Sequence, residues 1–142
     1  MEFPSPKKSS SESDTALIAI EFMSACKKGD RIVLNGDLGA GKTFFIKSAL
    51  SSIDIKNANS PSFAIVNEYQ SKHHIYHFDF YRLKNSSELI DIGWQDYLND
   101  DDSIIFIEWG KRFPDILPNE RIEINIEILD RSKREFRFEK FS

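Results

Sequence analysis

A chain of 142 residues with net charge −4 and pI near 5.4 is sized for one domain, and it lacks the basic total of a protein that grips nucleic acid unaided. Its 40% apolar and 30% charged content is that of a soluble globular protein, and no run reaches the roughly 18 apolar residues of a membrane-spanning helix. A single cysteine excludes an internal disulfide and, without a secretory leader, predicts a reducing compartment, the cytoplasm.

The opening "MEFPSPKKSSSESD" is rich in Pro, Ser and Lys, which predicts a disordered lead over residues 1–12 and a single domain over 13–142. "SDTALIAIEFMSACKKGD" reads as a helix capped by Ser13 or Asp14. Leu17, Ile20 and Met23 repeat on one face, Cys26 is a small core residue, and Gly29 closes the helix. "RIVLN" is apolar without alternation, as in a strand covered on both faces.

A glycine-containing turn follows, and "KTFFIKSALSSI" continues as a helix with Ile46, Leu50 and Ile53 on one side. "SPSFAIVNEYQ" and "HHIYHFDFYRL" read as strands joined through "SK". "SSELIDIGWQDYLND" has helical spacing through Ile90, Trp94, Tyr97 and Leu98, with Ser86 or Ser87 as cap, and Gly93 predicts a bend or stop. "SIIFIE" is another unbroken apolar run. Ile122, Ile124, Ile126 and Ile128 then alternate with polar residues, as in a strand with one wet face. "REFRFEKF" pairs back across "RSK" as a hairpin. This order predicts an α/β domain with a mixed sheet, a parallel centre, an antiparallel C-terminal edge and helices on the faces, and the "GDLGAGKT" motif within it makes the expected fold P-loop NTPase-like.

"GDLGAGKT", residues 36–43, matches G-x-x-x-x-G-K-S/T at every fixed position. Side chains would obstruct a loop whose N–H groups must turn inward on phosphate oxygens, so glycines at 36, 39 and 41 fit an anion nest. The helix behind it aims its positive end at the same anion. Lys42 can reach the β and γ phosphates, and Thr43 can offer its hydroxyl to Mg²⁺. Two acids end apolar strands, Asp79 and Glu108, where ligands of open α/β sheets sit. Histidines 73, 74 and 77 lack cysteine partners and a helical pairing, so a metal reading is disfavoured, and His77 packs or hydrogen-bonds near the site. Trp109 is either core or a support for nucleotide or partner.

With these residues in view, the chain resembles the TsaE family (older name YjeE). These are small bacterial ATPases needed for the threonylcarbamoyl modification of the adenosine beside the anticodon of certain tRNAs. The likeness runs from about Thr15 to Arg134 and rests on the ordered set "GDLGAGKT", "SPSF", "YHFDFYRL", "ELIDIG" and "IEWGK". It implies that Leu38, Gly39, Ala40, Gly41, Lys42 and Thr43 hold the phosphates of ATP. It also implies that Thr43 and Glu108 coordinate Mg²⁺, and that Asp79 lies close to the γ-phosphate. By the same resemblance Glu12 and Thr15 meet the base, and Lys111 and Arg134 approach the nucleotide. The family usually has Ser-Pro-Thr-Phe where this chain has Ser60-Pro61-Ser62-Phe63, and Ser62 keeps a hydroxyl for a switch-like contact.

The implied activity is Mg²⁺-dependent ATP hydrolysis in which Lys42 neutralises phosphate charge and Asp79 or Glu108 orients water. No residue clearly supplies an arginine finger; Arg82 is either one or a surface ion pair. Slow turnover in isolation is therefore expected, completed by the partners the resemblance implies, TsaD and TsaB, with tRNA met only through them. A nucleotide-gated binding module without turnover and a small-molecule kinase are the alternatives.

Overall fold

A computed structural model describes residues 6–61 and 64–142, so Ser62 lies outside the described residues. Among the described residues seven strands form one sheet: β1 (Lys7–Ser9), β2 (Arg31–Asn35), β3 (Val66–Gln70), β4 (His74–Asp79), β5 (Ser103–Glu108), β6 (Arg121–Ile128) and β7 (Arg134–Phe141). Their spatial order is β1-β7-β6-β2-β5-β4-β3. The pairs β6–β2, β2–β5 and β5–β4 are parallel, while β7 is antiparallel to β6, giving the expected parallel centre and antiparallel C-terminal edge. A second antiparallel edge comes from the β3–β4 hairpin.

Alternation along β2 sends Ile32 and Leu34 to one face and Val33 to the other. The first face is covered by α1 (Glu12–Ala25) and α2 (Lys42–Ser51), whose Phe22 and Phe45 rings pack near Phe136 and Phe138 of β7. The second is covered by α3 (Ser87–Asp91), α4 (Trp94–Leu98) and the short 3-10 turns Gly110–Arg112 and Pro114–Ile116. There Phe78 and Phe80 meet Trp94 edge-on. No helix among the described residues is long and apolar enough to cross a membrane.

Several expectations are corrected. Lys7–Ser9, inside the stretch read as a disordered lead, form β1 against β7, and Lys7 pairs with Glu21 of α1. The cap of α1 is Ser11, not Ser13 or Asp14: its side chain accepts from the Asp14 N–H, while Asp14 accepts from Ser10 N–H. Leu17 and Ile20 are exposed; the buried face runs through Thr15, Ile18, Ala19, Phe22 and Met23. Apolar residues surround this helix almost completely, so spacing alone did not select the face. The helix ends at Ala25, before Gly29, and Cys26 behind it is buried, with burial pushing its thiol pKa up. Gly93, at φ 87°, splits the 86–100 segment into α3 and α4, and Ile90 is exposed. The polar face of β6 is not uniformly wet: Glu123 is buried, accepting from Asn35 at 2.7 Å and Arg121 at 2.8 Å.

Candidate phosphate-binding site

The loop 36–41 leaves the carboxyl end of β2 and turns into α2. Gly36 is required by close approach: a Cβ there would lie 3.0 Å from both Ala40 Cβ and the Ile126 carbonyl oxygen. Gly41 stands at φ 104°, a left-handed conformation that sets the first turn of α2 directly behind it. The leading N–H groups of α2 therefore face the loop. Leu38 projects from the tip, 74% exposed, while Ala40 is buried.

Lys42 folds against the loop, donating to the carbonyls of Gly36 at 2.6 Å and Asp37 at 3.1 Å. Its Nζ lies 4.0 Å above the Trp109 ring centroid. Burial pulls its pKa down, against the opposing charges of Glu108, Asp37 and Asp79.

Parallel pairing of β4 with β5 puts Asp79 in register with Glu108. Both acids stand on the sheet face that carries α2, by alternation from Ile75 and Phe106. Glu108 is 3% exposed, and Thr43 Oγ1 donates to it at 3.0 Å from Oε1 and 3.1 Å from Oε2. Ser60 Oγ lies 3.1 Å from Thr43 Oγ1 and 3.3 Å from Glu108 Oε2. His77 Nε2 is 2.7 Å from that same Oε2. Asp79 accepts the Tyr81 N–H at 2.9 Å; burial raises its pKa, and the Glu108 charge adds to the rise.

Two clefts flank the loop. One, of about 410 Å³, is lined by Lys42, Thr43, Ser60, Asp79, Arg82 and Glu108, with Leu38 and Tyr81 at its rim. The other, of about 350 Å³, is lined by Glu12, Thr15, Ala40, Arg131, Ser132 and Arg134. Gly39, Gly41 and Phe44 belong to both, so the loop separates one elongated depression into halves. Arg134 reaches across from β7 to donate to the Ala40 carbonyl at 3.3 Å. Thr15 Oγ1 is held 2.7 Å from Ser9 Oγ of β1.

Of the residues singled out from sequence, Lys42, Thr43, Asp79 and Glu108 share one cleft, and Glu12, Thr15 and Arg134 share the other. Lys111 lines neither: its Nζ points toward Glu123 at 4.0 Å and is largely exposed. Ser60, Tyr81, Arg131 and Ser132 were missed. Ser60 opens the "SPSF" motif and Tyr81 lies within "YHFDFYRL", so they could have been weighed with Ser62 and Asp79, but Arg131 and Ser132 carry no local signal.

The matching family model is that of TsaE, threonylcarbamoyl adenosine biosynthesis protein, over residues 9–136. This chain belongs to the TsaE family. A Rickettsia typhi protein named tRNA threonylcarbamoyladenosine biosynthesis protein TsaE is 39% identical over 127 residues, covering 87% of each chain. One of the same name from Bacillus subtilis is 36% identical, over 88% of this chain and 78% of that one. The crystal structure of Bacillus subtilis YdiB superposes with a TM-score of 0.80 at 29% identity, over 97% of this chain and 86% of the other. The TsaE sheet described above is thus a P-loop fold.

The donors around Thr43 suit Mg²⁺. They are hard oxygens, a hydroxyl and a carboxylate about 3 Å apart, and among the described residues no group of three His, Cys, Asp or Glu side chains is arranged to cage a metal. Mg²⁺ takes one or two protein oxygens and fills its other positions with water and phosphate.

Proposed function

We propose that this TsaE-family chain binds and hydrolyses Mg²⁺-ATP in the cytoplasm, as a subunit of the machinery that makes threonylcarbamoyladenosine on tRNA. The observation that carries the proposal is the meeting of Thr43 and Glu108 at the joint of the phosphate loop, with Asp79 in register beside them.

Thr43 and Glu108 would hold Mg²⁺, which supplies Lewis-acid neutralisation of phosphate charge. The loop N–H groups and the start of α2 bind the phosphate oxygens. Lys42 exchanges the Gly36 and Asp37 carbonyls for phosphate oxygens, a change within reach of its flexible stem. Asp79 orients the attacking water; its raised pKa reflects a carboxylate held where desolvation makes it a better proton acceptor. Glu12, Thr15 and Arg134 line the half-cleft suited to the nucleoside.

Turnover alone is slow, and TsaD- and TsaB-type partners complete the site, with tRNA met through them. Leu38 and Tyr81 support this, as apolar surface at the cleft rim that a partner can cover. The test is phosphate release by wild type and Lys42→Ala, each with and without the TsaD–TsaB pair. Release that depends on the partners and is lost in Lys42→Ala is expected. Rapid turnover without partners would remove the dependence. ATP binding with no release in any mixture would indicate a gated module, and transfer of the γ-phosphate to a small acceptor would indicate a kinase.

A further inference from the structure

His77 is a buried polar side chain that the steps above do not use. It lies two residues before Asp79 on β4, shares its face, and is fully buried at 0% exposure. Its Nε2 is 2.7 Å from Glu108 Oε2, while its Nδ1 has no hydrogen-bond partner among the described residues. An unpartnered buried nitrogen is costly, so space-filling alone would favour an apolar side chain here. The ring is placed for its other nitrogen. A carboxylate only accepts, so Nε2–H is the donor.

The two oxygens of Glu108 are used unequally. Oε2 takes His77, with Thr43 at 3.1 Å and Ser60 at 3.3 Å, whereas Oε1 takes Thr43 at 3.0 Å. We infer that His77 is a positioning residue: its Nε2–H anchors Oε2, so that Oε1 and the Thr43 hydroxyl stay turned together to hold the divalent cation. Without that anchor the carboxylate can swing toward Lys42, whose charge it already feels. The role rests on the Mg²⁺-ATP function proposed above.

The test uses the full chain and a fluorescent N-methylanthraniloyl-ADP, titrated with MgCl₂ and separately in EDTA. In His77→Leu the Mg²⁺ concentration at half-effect rises about 10-fold, the scale of lost second-sphere support, while affinity in EDTA is unchanged. His77→Gln, which offers an amide N–H at similar reach, recovers most of the shift. An unchanged half-point in a folded His77→Leu protein overturns the role, as does a His77→Gln protein as impaired as His77→Leu. Should His77→Leu fail to fold, the wild type decides: its His77 Nε2–H resonance shifts when MgCl₂ joins the ADP complex, and an unmoved resonance overturns the role. A wild type without any Mg²⁺ dependence would remove the proposed function and this role together. Wild-type dependence with an indifferent His77→Leu removes only the latter.

Discussion

Strand β2 is bounded by two buried cations that look alike and do different things. Arg31 opens the strand and Lys42 follows the loop at its far end; each is 5% exposed, and burial pulls the pKa of each down. Both donate to backbone carbonyls. Arg31 spreads its planar fork over Ser103 at 2.7 Å, Asp100 at 2.7 Å and Leu98 at 3.1 Å, sealing the turn between α4 and β5. Lys42 places one rotatable ammonium on two loop carbonyls, beside a cleft that also contains Asp79 and Glu108. A guanidinium locked on several fixed acceptors cannot leave them without breaking the turn, whereas an ammonium can trade acceptors with little repacking. Burial of a cation therefore says little about function. What separates the pair is the open space and the converging acids at one end.

The largest expected effect tests the sealed end. Arg31→Met takes a charged donor away from the Ser103, Asp100 and Leu98 carbonyls, each such bond being worth about 1.5–3 kcal/mol, although Ser103 still accepts from the Gly29 N–H and Asp100 from Ser103. A loss of about 3 kcal/mol or more in urea unfolding is expected, with unchanged nucleotide affinity in the fraction that stays folded. Lys42→Ala should do the reverse: phosphate release with partners falls at least about 100-fold, near 2.7 kcal/mol of barrier, while stability moves by less than about 1 kcal/mol. If Lys42→Ala unfolds the chain, the distinction between the two ends collapses.

Between the two cations, Val33 touches Gly110, the residue after Trp109. A Cβ on Gly110 would lie 2.9 Å from Val33 Cγ1, 3.1 Å from Leu117 Cδ2 and 3.3 Å from Ile107 Cγ2. Gly110→Ala is therefore an overpacking substitution, costing about 1–3 kcal/mol by thermal or urea denaturation. Because those neighbours lie on the face away from α2, nucleotide affinity should fall far less than stability. A loss of affinity without a loss of stability would show that the strain runs through Trp109 to Lys42.

The placement of the glycine loop and the two acids around one cleft was legible because their signals are local: fixed spacing, and a carboxylate ending an apolar run. The parallel pairing that brings Asp79 beside Glu108 followed from strand–helix order. Arg31 was not legible, since a lone arginine at a strand start has no pattern and its acceptors lie 67–72 residues away. The same distance problem hid Arg131 and Ser132, which reach the loop only because β7 folds back along β6. Lys7–Ser9 looked disordered by composition, yet pairing with β7 and the Lys7–Glu21 contact order them. Glu123 was misread because alternation marks a polar face without saying whether hydrogen-bonding partners will bury it.

The smallest effect concerns Asp79 and runs opposite in sign to the others. Desolvation raises its pKa in the fold, so its protonated form is favoured there over the unfolded chain. Stability from this group is fully present below the unfolded value of about 3.9 and is lost as pH rises through the higher folded pKa. At neutral pH the ionised Asp79 is thus a standing cost. Asp79→Asn should raise the Tm near pH 7 by about 2 °C and leave it little changed at pH 3, while lowering phosphate release with partners. A Tm that falls at pH 7 would mean that the Asp79 charge supports the fold, as Arg31 does, and that this acid belongs with the sealed end rather than with Lys42.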